Sequence, residues 1–335
     1  MDIKKDRNLL FDNIKVLLIF LVVFGHIIEL FLEEHGYGTV YNLIYSFHMP
    51  AFVFIAGYFS KNITKQREEA INNFLIPFII FNGLYQIIGQ KIILVNIFTP
   101  SYVYWFLLSM FIWKIMITNI ISIRYCIIFA VLLSLYSGIF NEVSRFLSLS
   151  RTLVFLPYFI MGYYTSEKTI KNIRKIPKSI SIIAGVIIFI ILVFLLKYNI
   201  LPSGIFKGAD SYQILGIANL DGMLSRFFLI IIAILIIGVI INIIPNKKYF
   251  FTYLGSRTIT IYLLHPYFII LIRELKNYIK LKFYIGILLY IVISVIIVFI
   301  LGTTFIQKIY TCIFDYLNKK LIINFKEKDK SLYSK

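Results

Sequence analysis

The stretch FDNIKVLLIFLVVFGHIIELFL, residues 11–32, is apolar for most of its length. A bilayer core of about 30 Å requires roughly 20 such residues, since a helix rises about 1.5 Å per residue. Asp12 and Lys15 interrupt its start and no small-residue cleavage site follows, which favours a retained helix over a signal peptide. Nine further apolar runs follow, at about 40–60, 72–92, 101–119, 121–140, 150–165, 179–197, 224–244, 251–272 and 283–305. The sequence therefore predicts an all-α polytopic membrane protein with about ten transmembrane helices.

The composition agrees with this fold class. Of 335 residues, 60% are hydrophobic and 15% are charged, which excludes a soluble domain with a single core. The two cysteines, Cys126 and Cys312, both lie inside apolar runs. That position favours neither a disulfide framework nor a thiolate metal site, so we expect no bound metal.

Basic side chains cluster in alternate connections, and this pattern predicts the orientation. The chain carries 34 Lys and Arg against 16 Asp and Glu, a net charge of +18. Cytoplasmic connections of membrane proteins are enriched in Lys and Arg. The basic segments are the N-terminus, 61–70, 166–178, 247–248 and the chain from 308 onward. If ten spans alternate, all of these lie on one side, so both termini are predicted to be cytoplasmic and nucleic acid is not an expected partner.

The remaining connections fall on the outer side. Two of them, 33–39 and 198–223, are acidic or nearly neutral, as the rule expects. The connection 273–282 is basic although ten alternating spans place it outside. We keep this orientation because the other basic clusters all lie on the opposite side. We predict one integral membrane domain over residues 1–317, followed by a basic cytoplasmic tail over 318–335.

A polar stripe runs along the first helix. Lys15 and His26 are eleven residues apart, which at 100° per residue is about three turns plus 20°. Asp12 and Glu29 extend the same face at spacings of three residues. One interpretation is structural: Lys15 snorkels to the headgroups with Asp12 as partner, and Glu29 lies near the outer interface. His26 lies roughly 21 Å from the cytoplasmic edge, too deep for either interface to reach.

Two other histidines reach a similar depth. His48 lies roughly 20 Å from the inner edge in the second span, and His265 lies roughly 21 Å from it in the ninth. Either one alone fits an inter-helix hydrogen bond. Three histidines at one level favour a shared polar cavity, in which neutral His26 acts as a general base and Glu29 fixes its tautomer.

Three more side chains lie near the outer ends of spans four, six and eight: Trp105, Arg151 and Arg226. The structural interpretation, which the sequence favours, is a membrane-interface tryptophan and two snorkelling arginines. Together they also suit a vestibule for a sugar or phosphate acceptor, since guanidinium groups bind such ligands.

The sequence resembles the membrane-bound acyltransferase-3 family. Residues 7–26, RNLLFDNIKVLLIFLVVFGH, contain a basic residue, ten intervening residues and a histidine, here Lys15 and His26 after Asp12. Residues 46–60, SFHMPAFVFIAGYFS, are similar to the second family motif, although Ala56 stands where that motif has serine. The segment SFHMP, residues 46–50, resembles the fucose 4-O-acetylase-like subgroup of surface-glycan acetyltransferases. Further similar segments are YWFLLSMFIW at 104–113, RTLVFLPYFIMGYY at 151–164 and LGSRTITIYLLHP at 254–266.

The resemblance implies ten membrane helices and transfer of an acyl group, usually acetyl, from cytoplasmic acyl-CoA to a hydroxyl of a cell-surface carbohydrate or its lipid-linked precursor. On this basis the catalytic group is His26 with Asp12, Lys15 and Glu29. Acyl-CoA is the expected co-substrate, bound by Lys15, Tyr58 and Lys61. The expected acceptor contacts are His48, Trp105, Arg151, Arg226 and His265.

The main alternative is a transporter or exporter of a polysaccharide or lipid-linked glycan, because polar residues at mid-membrane depth also mark substrate pathways. A structural membrane subunit is a second alternative. The expected location is the cell membrane of a bacterium, since Ile, Lys and Asn are abundant, as in AT-rich genomes. Membrane lipids are expected partners, and the sequence leaves open whether the protein forms a homo-oligomer.

Overall fold

The computed structural model describes residues 8–92, 94–141, 146–278 and 281–321, and the regular structure in these segments is helical. The helices are α1 (Leu9–Glu29), α2 (Tyr37–Tyr45), α3 (His48–Tyr58), α4 (Ile63–Glu68), α5 (Ile76–Gly89), α6 (Trp105–Ile121), α7 (Cys126–Tyr136), α8 (Leu149–Tyr164), α9 (Glu167–Lys175), α10 (Lys178–Lys197), α11 (Asn219–Ile243), α12 (Thr258–Leu275), α13 (Phe283–Leu301) and α14 (Thr304–Leu321). A π-helical turn, Ile71–Leu75, leads into α5.

The apolar runs match the helices. Among the described residues, eight helical segments are long and apolar enough to cross a membrane, and α6 and α7 are shorter apolar helices. The expectation of an all-helical, polytopic membrane protein is confirmed. The predicted fifth run, 121–140, is the least accurate, because α7 covers only Cys126–Tyr136.

The second predicted span is two helices. The break lies at Ser46 and Phe47, between α2 and α3. Pro50 occupies the first turn of α3, where its missing N–H is tolerated, whereas in a continuous helix it would remove the hydrogen bond to Ser46 O. At the break, His48 Nδ1 donates to Ile44 O at 2.8 Å, so this side chain satisfies a carbonyl at the end of α2.

Helix α1 lies at the centre of the bundle. It packs against α2, α3, α12, α13 and the 3₁₀ turn Thr252–Ser256. Its most apolar window is 67% buried, against 17% for α10, whose exposed isoleucines and phenylalanines suit contact with lipid. The polar stripe of α1 is therefore inside the protein.

Helices α3 and α8 approach until their backbones touch. A Cβ on Gly57 would collide with Phe159 O, and a Cβ on Gly162 would collide with Phe54 O. Small residues at membrane helix interfaces permit such contact. Gly57 and Gly162 thus allow the two helices to pack closely.

Hydrogen bonds join the basic connections at one end of the bundle, called here the basic end. Asn13 Nδ2 donates to Pro245 O and Lys247 O, Lys61 Nζ donates to Thr165 O, and Arg174 donates to Ile244 O. The opposite end is called the far end.

The described residues of the basic 273–282 connection lie at the far end, as alternation of the spans predicts. Arg273 donates there to Gly89 O at 2.9 Å. At the other extreme of the chain, α14 crosses the predicted domain boundary at 317 and continues to Leu321. The remainder of the predicted tail, 322–335, and the basic N-terminal residues 1–7 lie outside the described residues.

Candidate active site

A polar cavity of about 490 Å³ lies toward the far end, and it is called here the far-end cavity. Its walls come from α1, α2, α3, α5, α6, α8, α12 and the connections 90–104 and 198–218. Five of the residues predicted for the site line it: His26, Glu29, His48, Trp105 and Arg151. Two of the three histidines predicted at one level, and two of the three residues predicted near the outer end, therefore line one space.

Glu29 fixes the tautomer of His26. The imidazole Nδ1 donates to Glu29 Oε2 at 3.1 Å, and Tyr45 Oη lies 3.2 Å from the same nitrogen. Because a carboxylate accepts only, the proton belongs on Nδ1 and Nε2 carries the lone pair. This orientation leaves Nε2 available as a base, as the i, i+3 spacing predicts.

Glu29 is itself held by two donors. Lys207 Nζ donates to Glu29 Oε1 at 2.8 Å, and Tyr41 Oη donates to the same oxygen at 3.2 Å. Lys207 comes from the turn Ser203–Lys207, in the connection expected to be nearly neutral. The carboxylate thus has a hydrogen-bonded position and a compensating charge before any ligand enters.

His265 stacks on His26. Their ring centroids are 5.5 Å apart with 27° between planes. His265 is fully buried, and its Nδ1 donates to Ile261 O at 3.2 Å, whereas Nε2 has no partner among the described residues. His265 therefore packs against His26, and among the described residues it is not part of the lining of the far-end cavity.

Arg151 and Trp105 form a unit in the cavity wall. The guanidinium carbon lies 5.2 Å from the Trp105 ring centroid, and Arg151 Nε donates to Lys207 O at 3.3 Å. Phe155 stacks on Trp105 with centroids 5.1 Å apart. These contacts fix the position of Arg151, so its cationic group is available to a ligand without rearrangement.

Arg226 does not join this unit. It is 2% exposed and donates to Ser134 O at 2.8 Å and Ser137 Oγ at 3.1 Å, and its guanidinium lies over Tyr212. Burial raises the pKa of Tyr212 above its usual value, so the phenol keeps its proton and donates to Leu135 O. Arg226 therefore lies apart from Trp105 and Arg151, outside the lining of the far-end cavity among the described residues.

A second cavity of about 240 Å³ lies toward the basic end and is called here the basic-end cavity. Its lining is mainly apolar, with Lys15, Lys114, Gln66 and Thr258 as polar members. Met49 and Tyr262 line both cavities, so the two spaces meet at these side chains.

The predicted CoA-binding residues separate in the structure. Lys15 lines the basic-end cavity and pairs with Asp12 at 2.8 Å. Lys61 instead lies over the Tyr58 ring, 4.5 Å from its centroid, and donates to Thr165 O. Within the described part of the chain, Tyr58 and Lys61 are not part of the lining of this cavity.

A comparison with protein families gives a match over most of the chain. The model described as "acyltransferase domain" of the acyltransferase-3 family matches residues 8–303. The chain belongs to the acyltransferase-3 family. Members of this family are acyltransferases, so the protein is a multi-pass membrane acyltransferase, and the transporter alternative is not supported. No curated protein and no solved structure matches the chain.

Several residues of this acyltransferase site escaped the sequence interpretation. Tyr45 and Lys207 reach His26 and Glu29 through contacts 19 and 178 residues apart in sequence, which carry no local signal. Lys114 did carry one, because a charged side chain inside a span is costly. No group of three or more metal-ligating side chains occurs among the described residues.

Proposed function

We propose that this acyltransferase moves an acetyl or other short acyl group from cytoplasmic acyl-CoA to a hydroxyl of a cell-surface carbohydrate or its lipid-linked precursor. The observation that carries the proposal is the meeting of the two cavities at Met49 and Tyr262, with His26 facing the polar one. A donor from one end and an acceptor from the other can meet at the base.

The positive-inside rule assigns the basic end to the cytoplasm. Acyl-CoA then enters the basic-end cavity with its phosphates near the mouth and its thioester toward His26. Lys15 and His26 are roughly 16.5 Å apart along α1, a distance that the extended pantetheine arm bridges. The lining between Lys15 and Tyr262 is largely uncharged, as is this arm, and Lys15 contributes positive charge near the phosphates.

His26 acts as the general base in this mechanism. Its Nε2 accepts the proton of the acceptor hydroxyl while the oxygen attacks the thioester carbonyl carbon. A C–O bond forms, the C–S bond breaks, and the departing CoA thiolate takes the proton from His26. Glu29 stabilises the transient imidazolium through the Nδ1 hydrogen bond of 3.1 Å.

Arg151 and His48 have different roles in this scheme. His48 uses Nδ1–H to bind Ile44 O, so its Nε2 accepts hydrogen bonds and suits an acceptor hydroxyl. Arg151 carries only donors and a fixed charge, which suits the oxyanion or an anionic group on the acceptor. Trp105 holds Arg151 in place.

The test is transfer of radiolabelled acetyl from acetyl-CoA by purified protein in liposomes, with candidate glycans supplied. Label should reach glycan or water with the wild type and not with His26→Ala. His35→Ala is the matched control, because His35 is an exposed histidine in the connection after α1. A folded wild type that neither binds nor turns over acetyl-CoA would contradict the proposal.

A further inference from the structure

Lys114 is a buried cation that the mechanism above leaves unused. It lies in α6, nine residues after Trp105, and is 5% exposed. Its ammonium donates to Ser60 Oγ at 3.3 Å and to Gln66 Oε1, and it lies 5.2 Å from the centroid of the Phe74 ring. All three partners are uncharged.

No carboxylate lies within 4.0 Å of this ammonium among the described residues. Glu69, in the neighbouring connection, pairs with Lys65 at 3.7 Å and acts on Lys114 only through a longer-range electrostatic attraction. A buried ammonium that lacks a paired carboxylate is unfavourable unless an anion joins it. Snorkelling does not account for Lys114, because the residue is 5% exposed and its ammonium is hydrogen-bonded to Ser60 and Gln66.

The two lysines of the basic-end cavity differ in this respect. Lys15 has Asp12 at 2.8 Å, which offsets part of its charge. Lys114 therefore supplies a positive charge of this cavity that no ion pair offsets among the described residues. Ser60 follows α3 and Gln66 belongs to the basic connection 61–70, so the ammonium lies in the part of the cavity nearest the basic end, which is called here its mouth.

The rest of the cavity restricts the ligand. Beyond the mouth the lining is mainly apolar, with Phe52, Ile55, Phe106 and Met110, and it leads to Met49 and Tyr262. A ligand that fits has an anionic head at the mouth and an uncharged arm directed toward the far-end cavity.

We propose that Lys114 binds a phosphate group of the acyl donor, with Gln66 giving up its place on the ammonium to a phosphate oxygen. The inference rests on the proposed function, since it places the acyl-CoA phosphates at Lys114 and not at Lys15 alone. A phospholipid headgroup offers the same phosphate chemistry, and the experiment must separate the two sources.

The experiment measures binding of radiolabelled acetyl-CoA, with S-acetylpantetheine, which lacks phosphate, as the comparison ligand. Wild type, Lys114→Met, Lys114→Arg and the control Lys168→Met are reconstituted in phosphatidylcholine liposomes. Lys168 is an exposed lysine of α9 and changes the net charge equally. We expect Lys114→Met to weaken acetyl-CoA binding by about tenfold or more, the effect of losing one charged hydrogen bond. S-acetylpantetheine binding should stay unchanged, Lys114→Arg should retain most of the acetyl-CoA affinity, and Lys168→Met should match the wild type.

Other results overturn the inference in distinct ways. Equal loss of both ligands in Lys114→Met would indicate general damage to the cavity. Unchanged acetyl-CoA affinity, with loss of spin-labelled phosphatidylglycerol immobilisation, would assign the phosphate to a lipid. If the wild type transfers acetyl but Lys114→Met binds acetyl-CoA normally, only the Lys114 inference fails. If the folded wild type does not bind acetyl-CoA, the proposed function fails as well.

Discussion

At the scale of single residues, the hydrogen bond from His26 Nδ1 to Glu29 fixes the tautomer and the orientation of the imidazole. Glu29→Gln keeps the shape of the side chain but removes the charge that stabilises the imidazolium. We expect the turnover number for acetyl transfer to fall by about a hundredfold or more, the range for loss of general-base catalysis. The KM for acetyl-CoA should change little, because its proposed contacts lie in the other cavity. Steady-state kinetics in liposomes measure both constants.

Glu34→Gln is the control for this substitution, since Glu34 is an exposed carboxylate in the connection after α1. It should leave both constants near their wild-type values. Wild-type turnover in Glu29→Gln would refute the role of Glu29.

Contacts between residues close in sequence could be predicted at this scale, whereas contacts between residues distant in sequence could not. The spacing of His26 and Glu29 on one helix correctly predicted their contact. Lys207 and Tyr45 come from other elements, and only the packed structure brings them to Glu29 and His26. Arg226 lies apart from Arg151 and Trp105, because equal depth in the membrane does not determine which way a side chain faces.

At the scale of elements, the apolar runs predicted the helices well, because the length of an apolar run reflects the length of the helix that contacts lipid. Hydropathy did not report the break at Ser46 and Phe47, where His48 satisfies the carbonyl of Ile44. It also did not report that α14 continues past 317, since that helix is less apolar than the spans. Interruptions of helices depend on prolines and side-chain hydrogen bonds, which a hydropathy window averages away.

The contact between α3 and α8 makes a quantitative prediction about stability. Gly57→Ala places a Cβ against Phe159 O, and backbone cannot yield as a flexible side chain does. We expect a loss of about 1–3 kcal/mol in the free energy of unfolding, the usual effect of overpacking. Thermal unfolding in detergent measures it as a lower Tm.

Gly238→Ala is the matched control, because nothing lies within 4 Å of its added Cβ and it also lies inside a helix. It should leave the Tm unchanged or raise it slightly, since alanine favours helix by about 1 kcal/mol over glycine. Equal Tm values for the two variants would mean that α3 and α8 are farther apart than described.

The orientation of the whole molecule can be tested directly. In a background with Cys126 and Cys312 replaced by Ser, Lys168→Cys should react with a membrane-impermeant maleimide only after cells are opened. Glu34→Cys should react in intact cells, because it lies at the far end. The reverse pattern would place the basic end outside and exclude a cytoplasmic donor at the basic-end cavity.

Met49 and Tyr262 have a consequence for the membrane as an electrical barrier. These two side chains lie where the cavities meet, and Tyr262 donates a hydrogen bond to Val103 O, which fixes its position. A membrane potential is worth about 2.3 kcal/mol per elementary charge per 100 mV, so a continuous wet passage would conduct ions down that gradient. In the proposed function, the acyl group passes these two side chains while no continuous aqueous passage opens. The membrane then keeps its electrical resistance during acyl transfer.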